Sequence, residues 1–371
     1  MVVGFYAWLY QLNYGLGVTG MNLPVFWGIY IVTFVFFIGV SAGGIAVASL
    51  SHLLEIEKFK PISMVAEIVA VISLILAMIM IFLDLGRPDR ILNLFIYFKL
   101  DSPLVWDVFV INIYLILCLG MLFFSIINKM HLVKIFAVIS IPTFVLVHSI
   151  TAWIFGLMKS QPGWHTSILA PLFIASALVS GLALIIMALI FSKRFLDFEI
   201  DDEVITDLGW SFKILLPILF YFLFCEFLTT AFAGIPAHSV VLREILVGKF
   251  ASIFWFDIAL GIIMPFFIII SKFGKTLIGV GIASAFSFFG VFAERINIVV
   301  PSFYHPLLSG DRSVYLYKPT WVEYSIIAAL FAFGIVIFIL ASKIIPLLMS
   351  EDWFGGLKTL SQKTMKQRRR R

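Results

Sequence analysis

Charge is scarce in this 371-residue chain, where Asp, Glu, Lys and Arg make up 13% of the residues. An ordinary soluble protein carries about 25%. Apolar residues reach 62%, and the mean hydropathy is +1.10. No aqueous core hides such a surplus, because surface-to-volume scaling leaves much of any folded chain exposed. A soluble enzyme, a disordered chain and a nucleic-acid binder are thereby excluded, and the sequence reads as an all-α integral membrane protein. Cysteine is nearly missing as well. Cys118 and Cys225 both fall inside apolar runs, and a [4Fe–4S] cluster takes about four thiolates, so no iron–sulfur cluster is expected in this chain. Two membrane thiols are ordinarily packing residues, although their count alone leaves a disulfide open. Histidine is sparse too. Of the six, His52, His131, His165, His238 and His305 fall at helix ends or in loops, and only His148 is deep. A bis-histidine haem b needs two at membrane depth, so neither haem nor another metal site is expected. Long polar stretches are also lacking: those around 192–210, 300–322 and 349–371 are too short for a soluble domain.

What is present is a series of apolar runs. A helix needs about 20 mostly apolar residues to cross the hydrocarbon layer, and nine segments qualify: 27–50, 62–84, 104–127, 132–157, 168–191, 211–233, 252–271, 275–300 and 323–348. Residues 1–26 hold no charge but include Asn, Gln and several Gly, which suggests an interfacial segment. A cleavable signal peptide is not expected, since no basic region precedes the first apolar stretch. Forty Phe, against 11 Tyr and 9 Trp, suit lipid-facing and inter-helix packing rather than a polar channel.

Orientation follows from the basic residues. With nine spans, Lys58, Lys60, Lys129, Lys134, Lys193, Arg194, Lys213, Lys272, Lys275, Lys343 and the basic tail share one side. Arg87, Arg90, Lys99, Lys159, Arg243, Lys249, Arg295, Arg312 and Lys318 fall on the other. The bias places the C-terminus in the cytoplasm, in a cell (plasma) membrane, with residues 1–26 outside. Beside a bilayer, the run Arg368 to Arg371 suits anionic lipid rather than nucleic acid.

Ionisable groups inside membrane helices are functional candidates by default. At a rise of about 1.5 Å per residue, Asp84 lies about 3 Å from the outer end of its helix. Asp257 lies about 8 Å in, Glu294 about 9 Å, Glu226 about 10 Å and His148 about 14 Å. Arg295 and Asp107 share the outer half, while Glu67 lies about 9 Å from the inner end. A uniform pore would spread such groups along its length. An outer-half pocket for an amphipathic molecule fits this asymmetry better, and carboxylates beside a histidine are what a proton-coupled redox reaction requires. The ordinary alternative for each group is a helix-end position or a neutralising neighbour: Thr151 for His148, Arg87 for Asp84 at three residues' spacing. Trp106, Trp153 and Trp164 fall near the outer interface, where aromatic residues anchor.

Several strings are more specific. Asp84-Leu85-Gly86-Arg87-Pro88 closes the second span and leads through Asn93 to Ser102-Pro103-Leu104-Val105-Trp106. Gly15 to Asn22 runs into Trp27-Gly28-Ile29-Tyr30, Trp164-His165 leads to Pro171-Leu172-Phe173, and Glu294-Arg295-Ile296-Asn297 continues to Pro301. In these strings the sequence resembles the NrfD/PsrC family, the quinone-reactive membrane subunits of polysulfide reductase-type complexes. It is most similar to the longer members, as in alternative complex III and sulfate-reducer redox complexes.

The resemblance implies two four-helix bundles plus an extra helix: 27–157 as the quinone-binding bundle, 158–300 as the second, 301–348 as a loop and final helix, and 349–371 as a basic tail. It implies quinone or quinol as substrate, with no haem or iron–sulfur cluster in this chain. The implied partners are a ferredoxin-like iron–sulfur subunit and a further catalytic subunit, either a molybdopterin enzyme or a multihaem cytochrome. His148 and Asp84 would act on the head group, supported by Arg87, Asp107 and Trp153. Glu67, Glu226, Asp257, Glu294 and Arg295 would be proton-relay groups. Longer relatives usually have ten spans, one more than the nine counted here. The competing class is a proton-coupled secondary transporter, which requires broken helices and a midplane site reachable from both sides.

Overall fold

The structure is a computed structural model, and it describes residues 1–23, 25–54, 60–196, 198–304 and 317–348. Lys58, His305, Arg312 and the basic tail from Lys358 to Arg371 lie outside the described residues, as does the side chain of Lys60. In hydrocarbon every backbone N–H and C=O must be paired within the chain, and a helix does this segment by segment. The apolar runs accordingly become α1 (Val2–Tyr14), α2 (Ile29–Leu53), α3 (Lys60–Asp84), α4 (Asn93–Ile96), α5 (Pro103–Ile126), α6 (Met130–Gly156), α7 (Leu169–Phe195), α8 (Asp202–Gly209), α9 (Phe212–Phe232), α10 (Pro236–Leu246), α11 (Ala251–Phe256), α12 (Met264–Ile270), α13 (Leu277–Val299) and α14 (Trp321–Leu348). No β-strand is found among the described residues, which contain nine helices long and apolar enough to span a membrane. The expected spans therefore stand, with ends shifted by a few residues.

Local chemistry explains the breaks. Pro103 and Pro236 open α5 and α10, where a missing N–H costs nothing. α11 and α12 form one span through a π-helical stretch, Asp257–Ile263. At its crossing with α13 the backbones nearly touch: a Cβ added to Gly261 would lie 2.6 Å from the Cα of Gly290. Gly43 and Gly181 do the same for α2 and α7, where a Cβ on Gly43 would lie 2.8 Å from the Gly181 Cα. Small residues allow such approach where no hydrophobic force drives helices together.

α2 is the central helix and is buried along nearly its whole length. It packs against α3, α6, α7 and α13; α5 packs against α3 and α6, and α9 against α7 and α12. α14 lies against α3 and against α1. The thirteen residues of α1 reach about 20 Å, short of the about 30 Å hydrocarbon core. They run antiparallel to α14, with Tyr10 beside Trp321 at a ring separation of 5.8 Å and Gly4 against Ser325 and Ala329. The end of the molecule that carries Asp84 and Glu323 is termed the outer end.

Candidate functional site

His148 is fully buried in α6. Its Nδ1 lies 3.0 Å from the carbonyl of Phe144, one turn earlier. A carbonyl only accepts, so Nδ1 carries the hydrogen and Nε2 keeps its lone pair. Nε2 is buried with no hydrogen-bond partner. Thr151 does not serve His148. Its hydroxyl donates to Asp107 Oδ1 at 2.7 Å and shares its hydrogen with the Val147 carbonyl at 2.9 Å. This ties α6 to the outer part of α5. Trp153 faces outward at 40% exposure.

Across α7, a second buried group joins α13 to the π-helical stretch. Arg295 Nη1 donates to Glu294 Oε1 at 3.1 Å, and Nη2 donates to Ser176 Oγ. The guanidinium lies 4.1 Å from the Phe173 ring centre and within electrostatic reach of His148 and Asp257. Asp257 Oδ1, Glu294 Oε2 and both polar atoms of Asn297 have no hydrogen-bond partner. They face a cavity of about 50 Å³ shared with Glu226, Thr230 and His238. That space suits a water or two, since one water fills about 30 Å³ of liquid, and it is too small for a quinone ring. Glu226 Oε2 accepts from Thr166 Oγ1 at 2.9 Å. Burial and nearby His165 hold the His238 imidazole below its ordinary pKa.

The third group closes the outer end around Asp84. Gln11 donates to the Leu83 carbonyl at 2.8 Å and accepts from the Tyr30 hydroxyl at 2.7 Å. Glu323, at the start of α14, accepts from Gly20 N–H at 2.7 Å and Thr320 N–H at 2.8 Å through Oε2. Its Oε1 accepts from the Tyr317 hydroxyl at 2.5 Å, and that hydroxyl accepts from Ile29 N–H at 2.7 Å. Burial and the Glu323 carboxylate push the Tyr317 pKa up, which keeps the phenol a donor. Asp84 lies within electrostatic reach of Glu323, and its Oδ1 is buried without a partner.

The expected pairing of Asp84 with Arg87 is not made. Arg87 Nε lies 3.3 Å from Asp89 Oδ1, both side chains are well exposed, and the Asp89 carboxyl is held below its usual range by that contact. Three-residue spacing brings side chains together only while the helix continues. Here α3 stops at Asp84, and Arg87 adopts φ −132°, ψ 76°. Gly86 is small for a packing reason: a Cβ there would lie 3.2 Å from the Leu16 side chain.

At the inner end Glu67 is fully buried. His52 Nε2 lies 2.6 Å from its Oε1, and Ser125 Oγ donates to the same oxygen at 2.9 Å, leaving Oε2 unpaired. His52 sits at a helix end as expected, but turned inward. The structure thus gathers Asp107 beside His148's helix and Glu226, Asp257 and Glu294 around one cavity, with Arg295 behind it on Glu294. It keeps Asp84 and Glu67 at opposite ends. Sequence reasoning gave no role to Gln11, Tyr30, Tyr317 or Glu323. The one available signal was a carboxylate at the edge of an apolar run, which reads as an ordinary helix start.

The recurring strings meet in space. Trp164 donates to the Ile298 carbonyl at 2.6 Å and stacks on Trp27 at 5.5 Å. A bundle of apolar helices holding buried, incompletely paired ionisable groups defines a polytopic membrane protein with polar clusters inside its helical bundle. The family described as polysulphide reductase, NrfD, matches residues 17–306, and this chain belongs to it. An Hdr-like menaquinol oxidoreductase integral membrane subunit from Archaeoglobus fulgidus is 31% identical, over 93% of this chain and 90% of that protein. A putative membrane subunit of dimethyl sulfoxide reductase from Halobacterium salinarum is 28% identical, over 94% and 89%. A selenate reductase subunit from Mesobacillus selenatarsenatis is 25% identical, over 93% and 91%.

Proposed function

We propose that this chain is the quinone-interacting membrane subunit of an oxidoreductase complex, exchanging electrons between the quinone pool and a catalytic partner subunit. The observation that carries the reading is His148: a buried imidazole with Nδ1 occupied and Nε2 presented as a bare acceptor. Leaving such an atom unmet away from water costs about 1–3 kcal/mol. A quinol hydroxyl fits it, since it donates a hydrogen bond and must lose its proton as the electrons leave. His148 Nε2 takes that proton as general base, and the Nδ1–H bond to the Phe144 carbonyl strengthens as the imidazole becomes cationic. Asp84 Oδ1, also buried and unpaired, is the second proton acceptor. Asp107 fixes α5 against the histidine's helix through Thr151, and Trp153 anchors α6 at the interface. Arg87, committed to Asp89, belongs to the outer surface rather than to the head group.

The relatives support the rest. One is named for menaquinol and two for reductases of other substrates, which favours a redox subunit over a transporter and calls for catalytic partners. A ferredoxin-like iron–sulfur subunit over the outer loops, and beyond it a molybdopterin enzyme or multihaem cytochrome, completes the electron path. The quinone site faces the outer side of the cell membrane, with the C-terminus in the cytoplasm. Glu226, Asp257 and Glu294 around their cavity with Arg295 paired to Glu294, and Glu67 with His52 at the inner end, serve proton movement.

The test begins with the complex purified from native membranes, with its proteins and extracted lipids identified by mass spectrometry. A co-purifying iron–sulfur protein and a bound quinone are expected, and a lone monodisperse chain with neither defeats the assignment. In that complex His148→Gln lowers kcat for quinol oxidation by about 10²–10⁴ with assembly intact. A wild-type rate removes His148 from the chemistry.

A further inference from the structure

A further cavity is apolar and is lined by none of these groups. It measures about 270 Å³ and is enclosed by α2, α3, α7, α13 and α14, with Leu76, Phe191, Phe288 and Phe338 among its walls and Ser73 as its polar exception. An apolar cavity of about 150 Å³ accepts one benzene, so this one has room for about ten carbons of a hydrocarbon chain.

Its access is one-sided. Ile335 lines it and is 56% exposed, so the void opens sideways into the bilayer. Further towards the outer end along the same helices, Met80 of α3 and Ile326 and Leu330 of α14 are buried. Towards the other end, the Phe191 and Phe338 rings lie 6.5 Å apart. Past them α7 carries Arg194 about 4.5 Å further along and α14 carries Lys343 about 7.5 Å further along. Both are exposed. Neighbouring Lys193 is committed to Asp202 at 2.7 Å and to the Ile200 carbonyl at 2.6 Å, which leaves Arg194 and Lys343 to meet an anion.

We propose that this cavity is a binding site for one anionic phospholipid, with an acyl chain between α3, α7 and α14 and its phosphate held by Arg194 and Lys343. Long cationic side chains reach the headgroup layer while their stems stay in hydrocarbon. The chain fills the gap left where α14 meets the other four helices, so the lipid acts as a packing element between α14 and the remainder of the protein. The site is independent of where quinol binds.

Native mass spectrometry of the detergent-solubilised complex tests it. After delipidation the complex is offered dioleoylphosphatidylglycerol, dioleoylphosphatidylcholine or menaquinone. One phosphatidylglycerol per chain is expected to persist, preferred over phosphatidylcholine by about tenfold or more. The exposed double variant Arg194→Gln, Lys343→Gln loses that preference while still taking up lipid. Ala188→Phe, which fills the cavity, abolishes retention of either lipid. Equal retention of the two phospholipids by the wild type, displacement of phosphatidylglycerol by menaquinone, or unchanged retention in a folded Ala188→Phe complex overturns the proposal. If Ala188→Phe does not assemble, the charge variant decides alone: an unchanged preference there overturns it.

Discussion

Replacing Glu323 by glutamine perturbs a single buried carboxylate that holds three parts of the chain together. Its two oxygens accept from the N–H groups of Gly20 and Thr320 and from the hydroxyl of Tyr317. Hydrogen bonds to a charged acceptor contribute about 1.5–3 kcal/mol each, against about 1 kcal/mol for neutral ones. An amide keeps one oxygen, which faces the two backbone donors, and turns its NH₂ towards Tyr317. The Tyr317 oxygen already accepts from Ile29 N–H, so the phenol is left accepting twice with nowhere to donate. Two weakened bonds and one inverted bond come to roughly 2–5 kcal/mol. At about 2–4 °C per kcal/mol for chains of a few hundred residues, the variant melts at least about 5 °C lower. Cys118 is buried, and its reaction with a thiol-specific fluorophore on heating reports the transition. Tyr317→Phe removes one of the same bonds and orphans Ile29 N–H, so the double variant is expected to lose about 1 kcal/mol less than the sum of the singles. Melting within 1 °C of wild type for Glu323→Gln, or strict additivity in the double variant, refutes the clasp.

Three further outcomes follow from the packing and the charges. Gly181→Leu places a branched side chain against the α2 backbone at Gly43, and no folded protein is expected in detergent by size-exclusion chromatography. The same change at exposed Gly17, which has open space around it, leaves the elution profile intact. Arg295→Met leaves the carboxyl of Glu294 buried without its cation and costs about 3–5 kcal/mol, while adding Glu294→Leu restores most of the melting temperature; a double variant less stable than the single contradicts this account. For His238 the fold favours the neutral imidazole, so the unfolded chain binds more protons below about pH 6.5. This contribution is present above that value and is lost as pH falls through it. His238→Gln therefore flattens the acid side of the stability curve, and a wild-type pH profile in the variant counts against the burial of His238 as its cause.

The nine spans were legible because the bilayer leaves the backbone one solution: an apolar run of sufficient length must pair its own amides, and it does so as a helix. The position of His148, Glu226, Asp257 and Glu294 along their helices was legible for the same reason, since a fixed rise per residue converts sequence position into distance along the axis. The family strings were visible as strings, but not as a contact between Trp27, Trp164 and Ile298 from three distant parts of the chain.

Partners across helices were not legible. Which residue faces which depends on how each helix is rotated about its axis and on how closely Gly43 and Gly181, or Gly261 and Gly290, let the backbones approach. His52 looked like an interfacial residue and proved to be the partner of Glu67; Thr151, one turn from His148, was taken by Asp107 on another helix. The local rule failed where the helix ended, sending Arg87 to Asp89 rather than to Asp84. Sequence by itself therefore determined that the chain lives in a membrane, which runs form long apolar helices, and where along those helices the ionisable groups fall, because these follow from one dimension of the chain. Only the tertiary structure decided which of those groups are satisfied and which are left bare, because hydrogen bonding is settled by the angular phase and spacing of packed helices, which no linear pattern records.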